Sequence, residues 1–246
     1  MSSTPTAERP TAERGRRRRR RWTALAVLLA LLVLGAVVGP RIYAAVESRK
    51  TAAPLAAAVP SASATPTAAA TDPALDGTWT VAPGGTAGYR VDEVLNGQRI
   101  TVTGRTDQVT GDLVVAGGQL TAATVSVDLA SVSTDSSQRD GQFRSRVVDV
   151  ERFPTADLVL TRPVPLGGLD VGATIPVTLT GTLALRGTTR EVTFPATVQR
   201  TGEDAVTVTG SLPVTWSDHG VEAPDLGFVS VEDTGTIEFS VSATPA

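Results

Sequence analysis

The 246-residue chain has a net charge of −3 that conceals two oppositely charged parts. Residues 1–50 hold 11 of the 22 Lys and Arg residues but only three of the 25 acidic ones, so residues 51–246 are strongly acidic. An acidic body argues against nucleic-acid binding, which depends on Lys and Arg contacts to phosphates. The absence of cysteine excludes disulfides, thiolate metal sites and cysteine nucleophiles.

The N-terminal segment predicts a membrane anchor. Residues 1–21 are polar and end in six consecutive arginines, so we expect a disordered basic tail. The apolar stretch within residues 22–43 is long enough, at about 17 residues, for a short transmembrane helix. The positive-inside rule puts the arginines in the cytoplasm and the C-terminal part outside. We favour an uncleaved signal anchor, although alanines near Tyr43 would also allow signal-peptidase cleavage.

Residues 44–75 are predicted to be a linker between the anchor and a folded domain. Of the 23 residues in 51–73, 20 are Ala, Pro, Ser or Thr, which cannot build a core. A fully polyproline-like chain of this length reaches about 70 Å, and a short Ala-rich helix over 52–58 would reduce that reach. The linker therefore tethers the domain at 76–246 to the membrane.

From Trp79 onward the apolar residues recur with a period of two. Examples are Val125 and Val127, Leu179 and Leu183, and Val208, with threonines between many of them. One apolar and one polar face is typical of antiparallel strands that are wet on one side. Glycine-rich turns separate about eight such strands, at 84–85, 117–118, 167–168 and 187.

The pattern predicts an all-β domain but leaves its architecture open. Both a two-sheet sandwich and a closed barrel would bury these apolar faces. An eight-stranded barrel has room for one slender ligand or is filled by its own side chains. The same aliphatic residues serve in either case, and an ordinary filled core is the simpler interpretation.

Residues 139–158 interrupt the alternation. Phe143, Val147 and Val148 have helical spacing, and Pro154 ends any helix. We expect one short amphipathic helix, with Asp140 as its N-cap, that closes one end of the domain. A solvated crossover loop is the alternative.

This stretch also resembles a known family. Arg139-Asp140-x-x-Phe143-Arg144-Ser145 followed by Asp149-Val150-Glu151-x-Phe153-Pro154 is similar to the signature of the YceI-like, polyisoprenoid-binding proteins. Matches at Trp79-x-Val81, at 88–91 and at 181–190 follow the family's order. Many members have His where this chain has Gln142, so a role that requires an imidazole does not carry over.

The resemblance implies a lipocalin-like, up-and-down β-barrel of about eight strands with a short inserted helix. The N-terminal transmembrane helix that would precede this barrel is predicted from the arginine run and the apolar stretch alone. The resemblance also implies an isoprenoid or another long-chain lipid as ligand. The residues themselves indicate no catalysis, cofactor or metal site. The sequence does not specify the oligomeric state. The residues expected to line the lumen and its mouth are Tyr89, Val125, Val127, Leu129, Arg139, Gln142, Phe143, Leu179, Leu183, Phe194, Val208, Trp216 and Phe239.

Other functions find less support in the residues. The sole histidine, His219, would be needed for a hydrolase, but no Gly-x-Ser-x-Gly motif accompanies it. One histidine with scattered carboxylates has no metal-binding spacing. The arginines around Arg139 either hold a polar head or form ion pairs such as Arg139–Asp140 and Arg152–Glu151. A non-enzymatic sandwich that binds another envelope component is the main alternative to lipid binding.

Overall fold

A computed structural model describes residues 53–55, 75–95, 97–223, 225, 227 and 229–246. The chain divides into Met1–Val46 and Glu47–Ala246, and every described residue belongs to the second unit. The predicted tail, the predicted anchor and most of the predicted linker lie outside the described residues. Within the described part of the chain, no helix combines the length and hydrophobicity needed to span a bilayer.

The described residues are mainly β-structure, as the alternation predicts. The strands are β1 Gly77–Val81, β2 Thr86–Leu95, β3 Gln98–Thr106, β4 Val109–Ala116, β5 Gln119–Asp128, β6 Thr155–Leu160, β7 Val164–Pro165, β8 Thr174–Leu185, β9 Thr188–Gly202, β10 Ala205–Thr215 and β11 Val229–Pro245. The predicted glycine turns at 84, 117–118, 167–168 and 187 lie between them.

The sheet closes into an eight-stranded antiparallel barrel. β1 and β2 lie end to end along β11. β3 pairs with β2 and β4 pairs with β1, so β3 and β4 also lie end to end. Each of the two pairs, β1 with β2 and β3 with β4, thus forms one interrupted barrel strand. β5, β6, β8, β9, β10 and β11 follow in chain order. Pairing of β1 with β11, from Trp79↔Pro245 to Val81↔Ala243, completes the ring. The barrel prediction is confirmed, and a two-sheet sandwich is not what forms.

Apolar residues of alternating positions fill the barrel because period-two side chains all point to one face. Val91, Val102, Leu185 and Val214 are among the alternating apolar residues that are buried in one continuous core. The opposite face carries threonine and serine pairs such as Thr207–Ser242, which are 3.0 Å apart between hydroxyl oxygens. The wall is thus apolar inside and polar outside.

One end of the barrel, here the helix end, carries the inserted segment between β5 and β6. It begins with a 3₁₀ turn at Leu129–Ser131, continues as helix α1 at Ser137–Gln142, and ends in a π-helical turn at Phe143–Val147. The turns β2–β3 and β8–β9 and the connection β10–β11 lie at the same end, because the strands alternate in direction. The predicted short helix is confirmed.

The expected N-cap was wrong. Ser136, with an extended backbone, caps α1 and its hydroxyl accepts from the Arg139 N–H. Asp140 instead lies inside the helix and is buried. Its Oδ1 accepts from both the N–H and the hydroxyl of Thr134, at 2.8 and 2.7 Å, and so fixes the helix to the turn that precedes it. Ser136 takes the cap because it stands where the chain leaves the extended conformation.

The opposite end, here the closed end, is sealed by side chains and backbone. Leu75, Leu166 and Leu169 are buried there, and the Trp79 indole N–H donates to the carbonyl of Leu75 at 3.0 Å. The Arg200 side chain is buried, and its guanidinium donates to backbone carbonyls of the surrounding loops, including Leu169 and Gly202. The closed end is thus filled by leucine side chains and by a buried guanidinium.

Candidate binding site in the barrel lumen

An apolar cavity of about 50 Å³ lies inside the barrel. Residues of every strand from β4 to β11 line it, and nearly all of its surface is hydrocarbon. Five of the residues predicted from the sequence are in this lining: Val125, Leu179, Phe194, Val208 and Phe239. The cavity as it stands has room for about one or two water-sized groups, so a longer ligand requires the lumen to widen.

Three further predicted residues lie in the core but outside the cavity lining. Leu129 and Leu183 are buried, and Val127 packs against the same core. Leu129 belongs to the 3₁₀ turn of the insertion, and Leu183 lies near the helix end of β8. Their role in binding stays a prediction.

A layer of aromatic rings lies between the cavity and the helix end. Tyr89 of β2 stacks on Phe143 of the insertion, with 5.3 Å between ring centroids, and meets Trp216 edge-on at 6.3 Å. Below them, Phe194 and Phe239 form an edge-on pair at 6.0 Å. All five residues were predicted site residues, and the structure brings them together along the barrel axis.

Glycines make room for these rings. Tyr89 lies over Gly104, Phe239 over Gly210 and Trp216 over Gly235, each on the neighbouring strand. A Cβ atom on Gly210 would lie 2.4 Å from the Phe239 ring. The glycines therefore determine how far each ring can lie back against the wall.

We expect Gly210→Ala to destabilise the domain by about 1–3 kcal/mol, the usual cost of overpacking a core. Denaturant unfolding gives the free energy. In a Phe239→Leu background the loss should shrink, because the ring that meets the new methyl is gone. An equal loss in both backgrounds would show that the ring contact is not the cause.

A charged layer lies beyond the aromatic rings. Glu93 follows Ala87, Tyr89 and Val91 on the inward positions of β2 and is buried. The Arg139 guanidinium donates to Asp135 at 2.6 Å and to Glu93 at 3.5 Å. Burial lowers the pKa of Arg139, but the charges of these two carboxylates outweigh burial and raise that pKa. For the Tyr89 hydroxyl, burial is the main effect and raises the pKa to about 12.

These contacts show where the arginines lie, and the predicted role of Arg139 in binding stays a prediction. Arg139 forms ion pairs, as one alternative held, but with Asp135 and Glu93 and not with Asp140. Arg152 lies over the Phe153 ring, 5.2 Å from its centroid. Gln142 is exposed on α1, and its predicted role in binding stays a prediction.

Sequence reasoning missed Glu93. Its signal was present, since it is a carboxylate at the fourth position of an otherwise apolar series of alternate residues. The partner could not be foreseen, because Arg139 lies 46 residues away in the chain. No group of three or more metal-ligating side chains comes together among the described residues.

His219 is buried beside the β8–β9 hairpin, with its Nδ1 unpaired among the described residues. Burial and the charge of Arg190 lower its pKa, against the effect of a hydrogen bond with the backbone of Thr188. The unfolded chain therefore binds this proton more readily than the folded one. Stability contributed by neutral His219 is present above pH of about 6.5 and is lost as the pH falls below it.

We accordingly expect His219→Gln to reduce the acid sensitivity of the domain, since the glutamine side chain does not titrate. Its amide can still form a hydrogen bond with the backbone of Thr188. Urea unfolding of both proteins at pH 7.5 and 5.0 measures this. The wild-type protein should lose more stability between the two values than the variant. Parallel losses would mean that His219 remains unprotonated or solvated throughout.

Comparison with known proteins shows which family this chain resembles. A model of the YceI-like domain matches residues 79–243. A polyisoprenoid-binding domain from Saccharophagus degradans, implicated in plant cell wall breakdown, is 21% identical, with a TM-score of 0.57 over 68% of this chain and 98% of that chain. BcnA from Burkholderia cenocepacia is 23% identical, with a TM-score of 0.51 over 63% of this chain and 96% of that chain. A search of curated proteins gave no match. The matched residues run from the first barrel strand to the last, and the chain belongs to the YceI-like domain family.

Proposed function

We propose that this protein binds an isoprenoid-type lipid, with the lipid tail in the barrel lumen, and that it carries out no catalysis. The observation that supports this most is an almost purely hydrocarbon cavity that is sealed at one end and bordered by polar groups at the other. The S. degradans relative, described as a polyisoprenoid-binding domain, has the same fold and supports the same ligand class.

Tail binding requires a wider lumen than the 50 Å³ cavity. Each buried methylene contributes about 0.8 kcal/mol, so a prenyl chain of several units supplies several kcal/mol toward moving side chains. Phe194 and Phe239 line the cavity and lie between it and the aromatic layer. Rotation of these rings would join the cavity to the helix end.

We further propose that the protein acts outside the cytoplasm, held to the membrane by residues 22–43. The arginine run followed by an apolar stretch supports this topology. A barrel tethered in this way would exchange its lipid with the bilayer to which it is anchored.

Mass spectrometry of lipids extracted from the full chain, purified gently from its own membranes, tests the proposed function. We expect a prenyl lipid in about one-to-one ratio with the protein. A mixture that mirrors the bulk membrane lipids, or no lipid at all, would contradict the proposal.

A further inference from the structure

The charged layer at the helix end is net negative around its guanidinium. Arg139 is flanked by Asp135 and Glu93, at 2.6 and 3.5 Å, and the buried Asp140 lies one residue further along α1. Glu93 is 6% exposed, although its side chain is charged and points inward. One guanidinium is thus paired with two carboxylates in this layer, and the third carboxylate, Asp140, is bound to Thr134.

The position of Glu93 along the barrel axis follows from the register of β2 and β11. Ala87 is opposite Phe239, which lines the cavity, and Tyr89 is opposite Ile237. Glu93 is opposite Val231, two inward positions beyond Tyr89 toward the helix end. A lipid whose tail occupies the cavity and whose head leaves through the helix end along β2 passes Glu93.

Both terminal nitrogens of Arg139 already donate to carboxylates. Bidentate phosphate binding requires guanidinium donors that are available to it, and a phosphate beside a buried carboxylate meets like-charge repulsion in a medium of low dielectric constant. An uncharged hydroxyl avoids the repulsion and can donate a hydrogen bond to Glu93. Resting on the proposed lipid-binding function, we propose that Glu93 selects prenyl lipids with an uncharged, hydrogen-bond-donating head over phosphorylated ones.

The helix end also has a basic side, on the hairpin between β8 and β9. Arg190 donates through Nε to the carbonyl of Asp218 at 3.0 Å. The Nε of Arg186 is buried and unpaired among the described residues, and its Nη1 lies against Gly220. This hairpin is separated from β2 by β10 and β11 in the sheet order. To avoid Glu93, a phosphorylated head would have to bind Arg186 on this hairpin. Binding at Arg186 is therefore the outcome of the test that competes with selection by Glu93.

The test compares geranylgeraniol with geranylgeranyl diphosphate, so that the tail contribution is the same in both. Occupancy of the delipidated full chain, in one detergent, is measured by native mass spectrometry. We expect the alcohol to bind at least about tenfold more tightly, and Glu93→Gln to reduce that ratio several-fold by removing the repelling charge. Asp204→Asn, an exposed carboxylate in the β9–β10 turn at the closed end, should leave the ratio unchanged.

Equal or tighter binding of the diphosphate would overturn the inference, and its loss in Arg186→Gln would place the head on the β8–β9 hairpin. Binding of neither lipid would refute the proposed function itself, which is a different failure. If circular dichroism shows that Glu93→Gln does not fold, Asp135→Asn takes its place, with a smaller shift in the same direction expected. An unchanged ratio in the folded variant would also overturn the inference.

Discussion

Val125→Trp should reduce the lipid content of the protein at least about tenfold. Val125 lines the cavity on β5, and the indole group would occupy the space into which a prenyl tail must insert. Overpacking costs about 1–3 kcal/mol, which a barrel of eight paired strands should tolerate. Lipid extraction and mass spectrometry measure the loss, and circular dichroism verifies the fold.

The adjacent residue provides a matched control. Thr124 lies on the same strand, faces outward and is exposed, so Thr124→Trp adds the same ring outside the barrel. It should retain wild-type lipid content. Equal lipid content in both variants would mean that the tail does not occupy the lumen.

Phe194→Ala should lower the free energy of unfolding of the delipidated protein by about 3–5 kcal/mol, the usual cost of truncating a buried phenylalanine. Phe194 is 2% exposed and lines the cavity, so the truncation also enlarges the lumen. Added geranylgeraniol should therefore recover more stability in the variant than in the wild type, since a ligand stabilises the state that binds it. Urea unfolding with and without the lipid gives both quantities.

Leu185→Ala is the control for this second prediction. Leu185 is buried in the same core but does not line the cavity. Its truncation should cost about 2–5 kcal/mol without increasing the response to lipid. A similar gain in both variants would show that lipid relieves any core defect and has no preferred place in the lumen.

The alternation along the strands was sufficient to predict which residues face the core. Val125, Leu179 and Val208 line the cavity, because a period of two fixes the face of a strand wherever the strand pairs. Closure of the barrel could not be predicted from the alternation. β1 pairs with β11 across more than 160 residues, and periodicity contains no information about partners so distant. Only the family resemblance implied the ring.

The insertion was predictable in existence but not in detail. Helical spacing indicated a helix, yet Ser136 caps it and Asp140 is buried against Thr134. Both residues are good caps in isolation, so the choice depends on where the backbone leaves the extended conformation ahead of α1. Glu93 shows the same limit, since its pairing with Arg139 arises only when α1 lies over the helix end.

The lumen as the site of the tail is tested most directly by nuclear Overhauser effects between bound geranylgeraniol and methyl groups of the protein. We predict cross-peaks from the prenyl protons to Leu179, Val208 and Val241, which line the cavity. Cross-peaks confined to Val114 and Val159, which are exposed on the barrel surface, would place the lipid on the outer wall and contradict this account.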